Sequence, residues 1–386
     1  MHDIAPPPLQ TVHGQPSWRI GNHGVETFVT RQGGHLGPTT FRLGERNVRP
    51  YAVAPWAEDA ATAALPPMLR VLRGDFFCLP FGGNAEPSGD EAHPPHGEAA
   101  NETWTFDDLR REGDAVSLHL HLDTTVRVGR VRKNVTLVDG HAALYQRHTV
   151  TGMVGPMSLG HHAMLKFPEA EGSGLVATSP FVLGQTSPVP VERPEQGGYS
   201  VLAPGTTFDA LDAVPTTTGV HADLSRYPAR RGYEDLVLLA SDPVLPFAWT
   251  AVTFPDEGFV WFTLKDPRVL RQTILWVSNG GRHYPPWNGR HTSVLGLEEV
   301  TSYFHFGLAE SAAPNPLSEQ GLATTVTLRG GPFHVACISA VARVPVQFDH
   351  VAEVHALGEE DAVVLTSRSG ALVHVPLRHR FLQPPA

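Results

Sequence analysis

Residues 93–106, HPPHGEAANETWTF, crowd two histidines, two glutamates, an asparagine and a tryptophan around a Pro-Pro-His-Gly turn. Three chemistries compete for such a loop: a metal centre, the lip of a sugar cleft, or plain polar surface. His93, His96 and Glu98 are the right residue types for a transition metal. Their spacing argues against one. A cupin-like ligand set places His-x-His on one strand, whereas a His-Pro-Pro-His stretch bends, because proline fixes φ and lacks an N–H. His119 and His121 in LHLHL do share a strand face. Strand histidines alternating with leucine are ordinarily a solvated face opposite a core face.

Two adjacent pairs carry more information. His161 and His162 in LGHHAMLKFP, and Glu298 and Glu299 in LGLEEV, sit in apolar runs that read as strands. Successive strand side chains point to opposite faces, so only one member of each pair can enter a shared cleft. A carboxylate on a buried face is costly unless paired, and burial raises its pKa toward the range useful to a general base. Glu298 taken alone reads equally well as an ordinary strand-end acid.

The elements that must position these residues are strands. Residues 115–150, AVSLHLHLDTTVRVGRVRKNVTLVDGHAALYQRHTV, alternate apolar and polar at period two, and Asp139-Gly140 supplies a hairpin turn. Similar runs recur at EDLVLLAS, FVWFTLKD, QTILWVSN and HVACISAVARVPVQFDHV, and no long window keeps a helical period. The 37 glycines and 35 prolines fit frequent turns. An all-β antiparallel sandwich is expected, as one domain over residues 1–386 with 320–386 as additional C-terminal strands. Residues 82–103 and 168–234 read as irregular, and long irregular loops in compact domains are often functional. No internal repeat is present.

Composition narrows the partners. A formal charge of −10, from 29 Lys+Arg against 39 Asp+Glu and without a basic run, disfavours nucleic acid and anionic membranes. Two cysteines, Cys78 and Cys337, form neither a disulfide framework nor a CxxC metal motif, which fits a reducing cytoplasm. The opening MHDIAPPPLQTVHG has no basic segment followed by an apolar one, and no apolar run is long enough to span a bilayer. A soluble, cytoplasmic protein acting on a small molecule is expected.

The order LRGDFFCLPFGGN, HPPHGEAANETW, GHHAMLKF and LWVSNGGRHYPPWNGRHTSVLGLEEVTS resembles the aldose 1-epimerase family and its galactose mutarotase-like relatives, over roughly residues 15–310. The resemblance implies a large antiparallel supersandwich with a sugar cleft and an isomerase of carbohydrate metabolism. Residue by residue, it implies Glu298 as catalytic base and His162 as acid, with His161 as the alternative because Met164 and Leu165 replace the family's aromatics. Asn84 matches the asparagine of an Asn-Arg pair, although Ala85 follows it, and Arg73 stands where a sugar-phosphate branch places a cation. His96 is implied as a hydroxyl donor, Trp104 as apolar support for a pyranose, and Asp235, preferred over Glu234, as acidic substrate ligand.

Anomer exchange needs a base at the C1 hydroxyl, an acid at the ring oxygen and room for the open aldehyde to turn; each proton transfer contributes roughly 10² to 10⁴ in rate. Neither a metal nor an organic cofactor is required. A non-catalytic carbohydrate-binding protein and a metal-dependent cupin-like sugar enzyme are the competing readings.

Overall fold

The computed structural model describes residues 7–358 and 360–385, and almost every element is a strand. The first six residues, on which the reading of the N-terminus partly rests, lie outside the described residues. No helix among the described residues is long and apolar enough to cross a membrane. The chain divides into two compact units: one runs up to His162 and includes Val300–Ser339 and the segment from Arg380, and the other comprises Ala163–Glu299 and Ala340–His379. The chain passes between them within the strands Leu159–Lys166, Val294–Thr301 and Phe333–Arg343.

In the first unit the expected meander forms as Thr105–Glu112, Ala115–Thr124, Gly129–Val138 and Ala143–Thr151, all antiparallel. Leu118 faces Val135 and Leu122 faces Val131, and all four are buried. Burying each such side chain contributes roughly 1.5–3 kcal/mol. The opposite face is polar: His119 Nδ1 lies 3.0 Å from Asn134 Oδ1, and His121 meets Asp107. One inward position breaks the alternation. Lys133, opposite Leu120, is buried and donates to the Gly34 carbonyl at 2.8 Å; burial lowers its pKa to about 8. A second sheet of this unit runs from Gln10–Val12 through Gln15–Gly21, Val25–Thr30 and Leu36–Leu43 to Asp75–Cys78 and the beginning of Leu159–Lys166.

In the second unit, Tyr233–Ser241 pairs with Gln272–Asn279 and Phe181–Thr186, while Gly174–Thr178, Ala248–Phe254 and Phe259–Lys265 form a separate antiparallel ladder. These central strands are buried along nearly their whole length, which requires cover on both faces and weakens period-two alternation. Segment 168–234, expected to be irregular, therefore contains real strands, short and bounded by glycine and proline. Residues 320–386 contribute to both units: Val326–Arg329 pairs with Val154–Met157, and Val351–Ala356, Ala362–Ser367 and Leu372–Pro376 form a three-stranded sheet.

Candidate functional site

The Pro-Pro-His-Gly turn closes because Gly97 N donates to the Pro94 carbonyl at 2.8 Å. Only glycine suits position 97: its φ is +73°, and a Cβ there would meet the Leu79 carbonyl oxygen at 1.8 Å. His96, itself at φ +59°, is held by its N–H on Gly82 O at 2.7 Å and by its carbonyl, which accepts Leu79 N at 3.3 Å. This anchoring delivers the His96 ring to a cluster in the first unit. The ring stands edge-on to His162 at 5.1 Å between centroids, with Phe76 at 5.7 Å and Phe81 at 5.1 Å. Its Nδ1 is 3.4 Å from Cys78 Sγ. Burial, with His305 adding charge repulsion, lowers the His96 pKa to about 3, so the ring is neutral at pH 7.

The His161/His162 pair resolves through their partners. His161 Nδ1 meets Asp75 Oδ2 at 3.2 Å, both side chains almost fully buried, and its ring packs against Phe77 and His148. His162 takes the other face, stacked on Phe76 at 4.5 Å; Phe76 also stacks on His35 at 4.0 Å. Two expected site residues, His96 and His162, are thus neighbours. His35, Phe76, Phe81 and Cys78 join them without any motif that singles them out.

Three other residues expected at the site, Arg73, Asn84 and Trp104, are bonded to the protein's own backbone. The Arg73 guanidinium is buried and donates to the carbonyls of Val71 (3.0 Å), Val12 (2.7 Å) and His13 (3.0 Å), so it clamps the N-terminal strand instead of meeting an anion. The Asn84 amide donates to Gly82 O and Pro94 O, each at 3.1 Å, and its oxygen accepts Leu308 N at 3.0 Å. It latches the loop that carries His96. Trp104 is buried with Nε1 donating to Ala99 O at 3.0 Å, Gly34 packed against its ring and Lys133 Nζ 5.9 Å from its centroid, so it is a core residue with no platform to offer. The candidate metal triad also separates: His93 meets Glu91 at 3.0 Å, and Glu98 accepts from Thr125 N, Thr125 Oγ1 and Val126 N. Among the described residues no group of three or more His, Cys, Asp and Glu is placed to hold a metal ion.

In the second unit the two glutamates part as their strand demands. Glu299 is fixed in the core by Thr250 Oγ1 and Thr273 Oγ1, each donating at 2.7 Å, and by Lys265 Nζ at 2.5 Å. Glu298 turns to the opposite face, where its Oε1 lies over Gly296 beside Trp276; a Cβ at Gly296 would fall 2.9 Å from both. Burial raises the Glu298 pKa well above the usual carboxylate range, against the pull of Arg282.

Around Trp276 stands a polar group of which the sequence motifs named Glu298 and, as the second choice to Asp235, Glu234. Glu234 accepts Trp276 Nε1 at 3.0 Å, Ser278 Oγ at 2.9 Å and Gly281 N at 3.3 Å, and burial pushes its pKa up to about 7. Arg282 lies 4.5 Å from the Trp287 centroid and 5.4 Å from that of Trp276, and its Nε donates to Glu192 at 2.6 Å. His291 stacks on Trp276 at 5.4 Å, with Nδ1 2.6 Å from Ser278 Oγ; burial lowers its pKa to about 3. Of the two acids weighed in the sequence, Glu234 and not Asp235 stands beside Trp276. Asp235 points to the other face and accepts Val201 N and Leu202 N. The only sequence signal for Arg282, Trp287 and His291 is their place in GGRHYPPWNGRH, the approach to the Glu298 strand.

No protein-family model matches the chain, and no curated protein matches it. Solved structures do. A Klebsiella pneumoniae protein provisionally called an aldose 1-epimerase aligns at TM-score 0.60 and 12% identity, over 86% of this chain and 80% of its own. A galactose mutarotase-like protein from Clostridium acetobutylicum aligns at 0.55 and 13%, over 87% and 98%. A galactose mutarotase related enzyme from Lactobacillus acidophilus aligns at 0.53 and 12%, over 85% and 99%. At such identities the likeness shows the fold: this chain has the galactose mutarotase-like β architecture.

Proposed function

We propose that this protein is an aldose 1-epimerase-like isomerase that interconverts the anomers of an aldose without a metal or organic cofactor. The observation that carries the reading is Glu298. Its neighbour Glu299 is saturated by a lysine and two threonines, whereas Glu298 has a raised proton affinity and stands beside Trp276 in a group that supplies further sugar-binding chemistry. Tryptophan gives an apolar face, and buried carboxylates accept from hydroxyls. The fold supports the reading but does not carry the activity.

In the proposed reaction Glu298 takes the proton of the C1 hydroxyl while the C1–O5 bond breaks and an acid protonates O5. The product is the open aldehyde. After rotation about C1–C2, O5 attacks the other face of the carbonyl, its proton returns to the acid, and Glu298 returns a proton to the new C1 hydroxyl. The resemblance gives the acid's role to His162, whose ring stands edge-on to the neutral ring of His96. The test is polarimetric mutarotation of a panel of free and phosphorylated aldoses, with and without EDTA. A rate above buffer that survives EDTA supports the proposal. Sugar binding without any rate favours the carbohydrate-binding reading, and loss of the rate together with a bound metal favours the metal-dependent one.

A further inference from the structure

Asp235 leaves the face of Glu234 and Trp276 for a cavity of about 430 Å³ within the second unit, a volume in the range of small-molecule sites. Val277, directly opposite Asp235 in the adjoining strand, shares the cavity wall with Leu202, Leu224 and Ala229, and Tyr233 adds an aromatic ring. The lining is largely apolar. Into it points one buried carboxylate, whose contacts are backbone N–H groups: Val201 N at 3.1 Å and Leu202 N at 3.1 Å.

A buried carboxylate ordinarily has a cationic partner, because desolvation of the charge is otherwise uncompensated. Among the described residues Asp235 has no such partner. The other charged or titratable groups of the cavity are His221, Asp223, Arg230 and Tyr233. Asp223 is engaged with Ser225 N and Oγ, and Arg230 lies 5.8 Å from the Tyr233 ring centroid. His221, Asp223 and Arg230 are exposed, so they stand at the mouth and Asp235 at the closed end.

We propose that this cavity is a second ligand site, distinct from the Glu298 group, that takes a primary ammonium carried on an apolar or aromatic body. The ammonium supplies the missing counter-charge at Asp235, and the body fills the space between Leu202, Leu224, Val277 and Tyr233. Such a ligand has the three things the cavity asks for: donors, positive charge and apolar area. A free sugar lacks the last two. Burial raises the Asp235 pKa to about 7, so the ammonium binds to a group that must ionise, and affinity rises with pH.

The experiment is calorimetric titration of the whole protein with phenethylamine, against phenethyl alcohol as the neutral isostere. For a fragment of this size a dissociation constant of about 1 mM is expected for the amine. The alcohol should bind at least about tenfold more weakly, because a charge-assisted bond is lost. Amine affinity should rise between pH 6 and 8 and fall at least about tenfold in Asp235→Asn, which keeps the acceptor for Leu202 N. Ala229→Phe, which fills the cavity and leaves Asp235 intact, should also abolish binding. Equal binding of amine and alcohol, undiminished binding in Asp235→Asn or Ala229→Phe, or no binding to the parent up to the solubility limit, overturns the proposal. If His221→Ala removes the pH dependence, the ionising group is at the mouth and the assignment to Asp235 fails. Each outcome is independent of mutarotase activity.

Discussion

Glu299 Oε2 lies 2.5 Å from Lys265 Nζ in the core of the second unit, while Glu298, one residue earlier in the same strand, carries its carboxylate to Trp276 on the opposite face. This opposition separates an acid held in the core from the acid of the proposed reaction, and it makes the pair its own control.

Glu298→Gln removes basicity while keeping size, so kcat for mutarotation should fall by about 10² or more with an unchanged melting temperature. Glu299→Gln should keep most of the activity at low temperature. Because it strands Lys265 in the core, it should lose about 3 kcal/mol of stability or more. Polarimetry and thermal denaturation of both variants check this; the reverse pattern would show that the assignment of faces is wrong.

The histidine pair repeats the logic in the first unit. His162→Asn should be inactive and nearly as stable as the parent. His161→Asn should be active but less stable, since it leaves the Asp75 carboxylate, also bonded by Gln146, without its imidazole. Activity surviving in His162→Asn would remove that residue from the acid role.

Arg282 faces the Glu298 group and its charge opposes the rise in the Glu298 pKa. Arg282→Gln should therefore let that pKa climb further, moving the acidic limb of the kcat profile to higher pH. A limb that stays put or moves down would show that Arg282 does not set the base's ionisation.

Asp235 gives a stability prediction whose sign follows from linkage. Its folded-state pKa is about 7, above the ordinary 3.8, so between these values the folded state holds a proton that the unfolded state has released. Stability from this group is therefore fully present below about pH 4 and is lost as pH rises toward 7. Asp235→Asn lacks this loss. Its melting temperature relative to the parent should climb steadily from pH 4 to 7.5; a flat difference would mean that Asp235 titrates normally.

Arg73→Ala should destabilise the protein through loss of three bonds to carbonyls, two of them, Val12 and His13, at the N-terminal strand. It should affect free and phosphorylated aldoses alike. A selective loss of turnover on the phosphate would restore the anion-binding role that the sequence motif implies.

The sequence by itself determined the architecture and the pairs. Period-two alternation over 115–150, the Asp139-Gly140 turn and the scarcity of helical periodicity are local signals, and local signals suffice for an all-β antiparallel fold. The same period requires His161 to oppose His162 and Glu298 to oppose Glu299. It does not say which member faces the core. That choice belonged to residues far along the chain, Asp75 for His161 and Lys265 for Glu299, whose approach only the folded sheets create. Tertiary structure likewise turned Arg73, Asn84 and Trp104 into internal fastenings, because backbone carbonyls and N–H groups with no sequence signature had to be satisfied in the interior. It also exchanged Asp235 for Glu234 beside Trp276, since a one-residue choice of strand face is invisible until the neighbouring strand's Trp276 and Ser278 supply the donors.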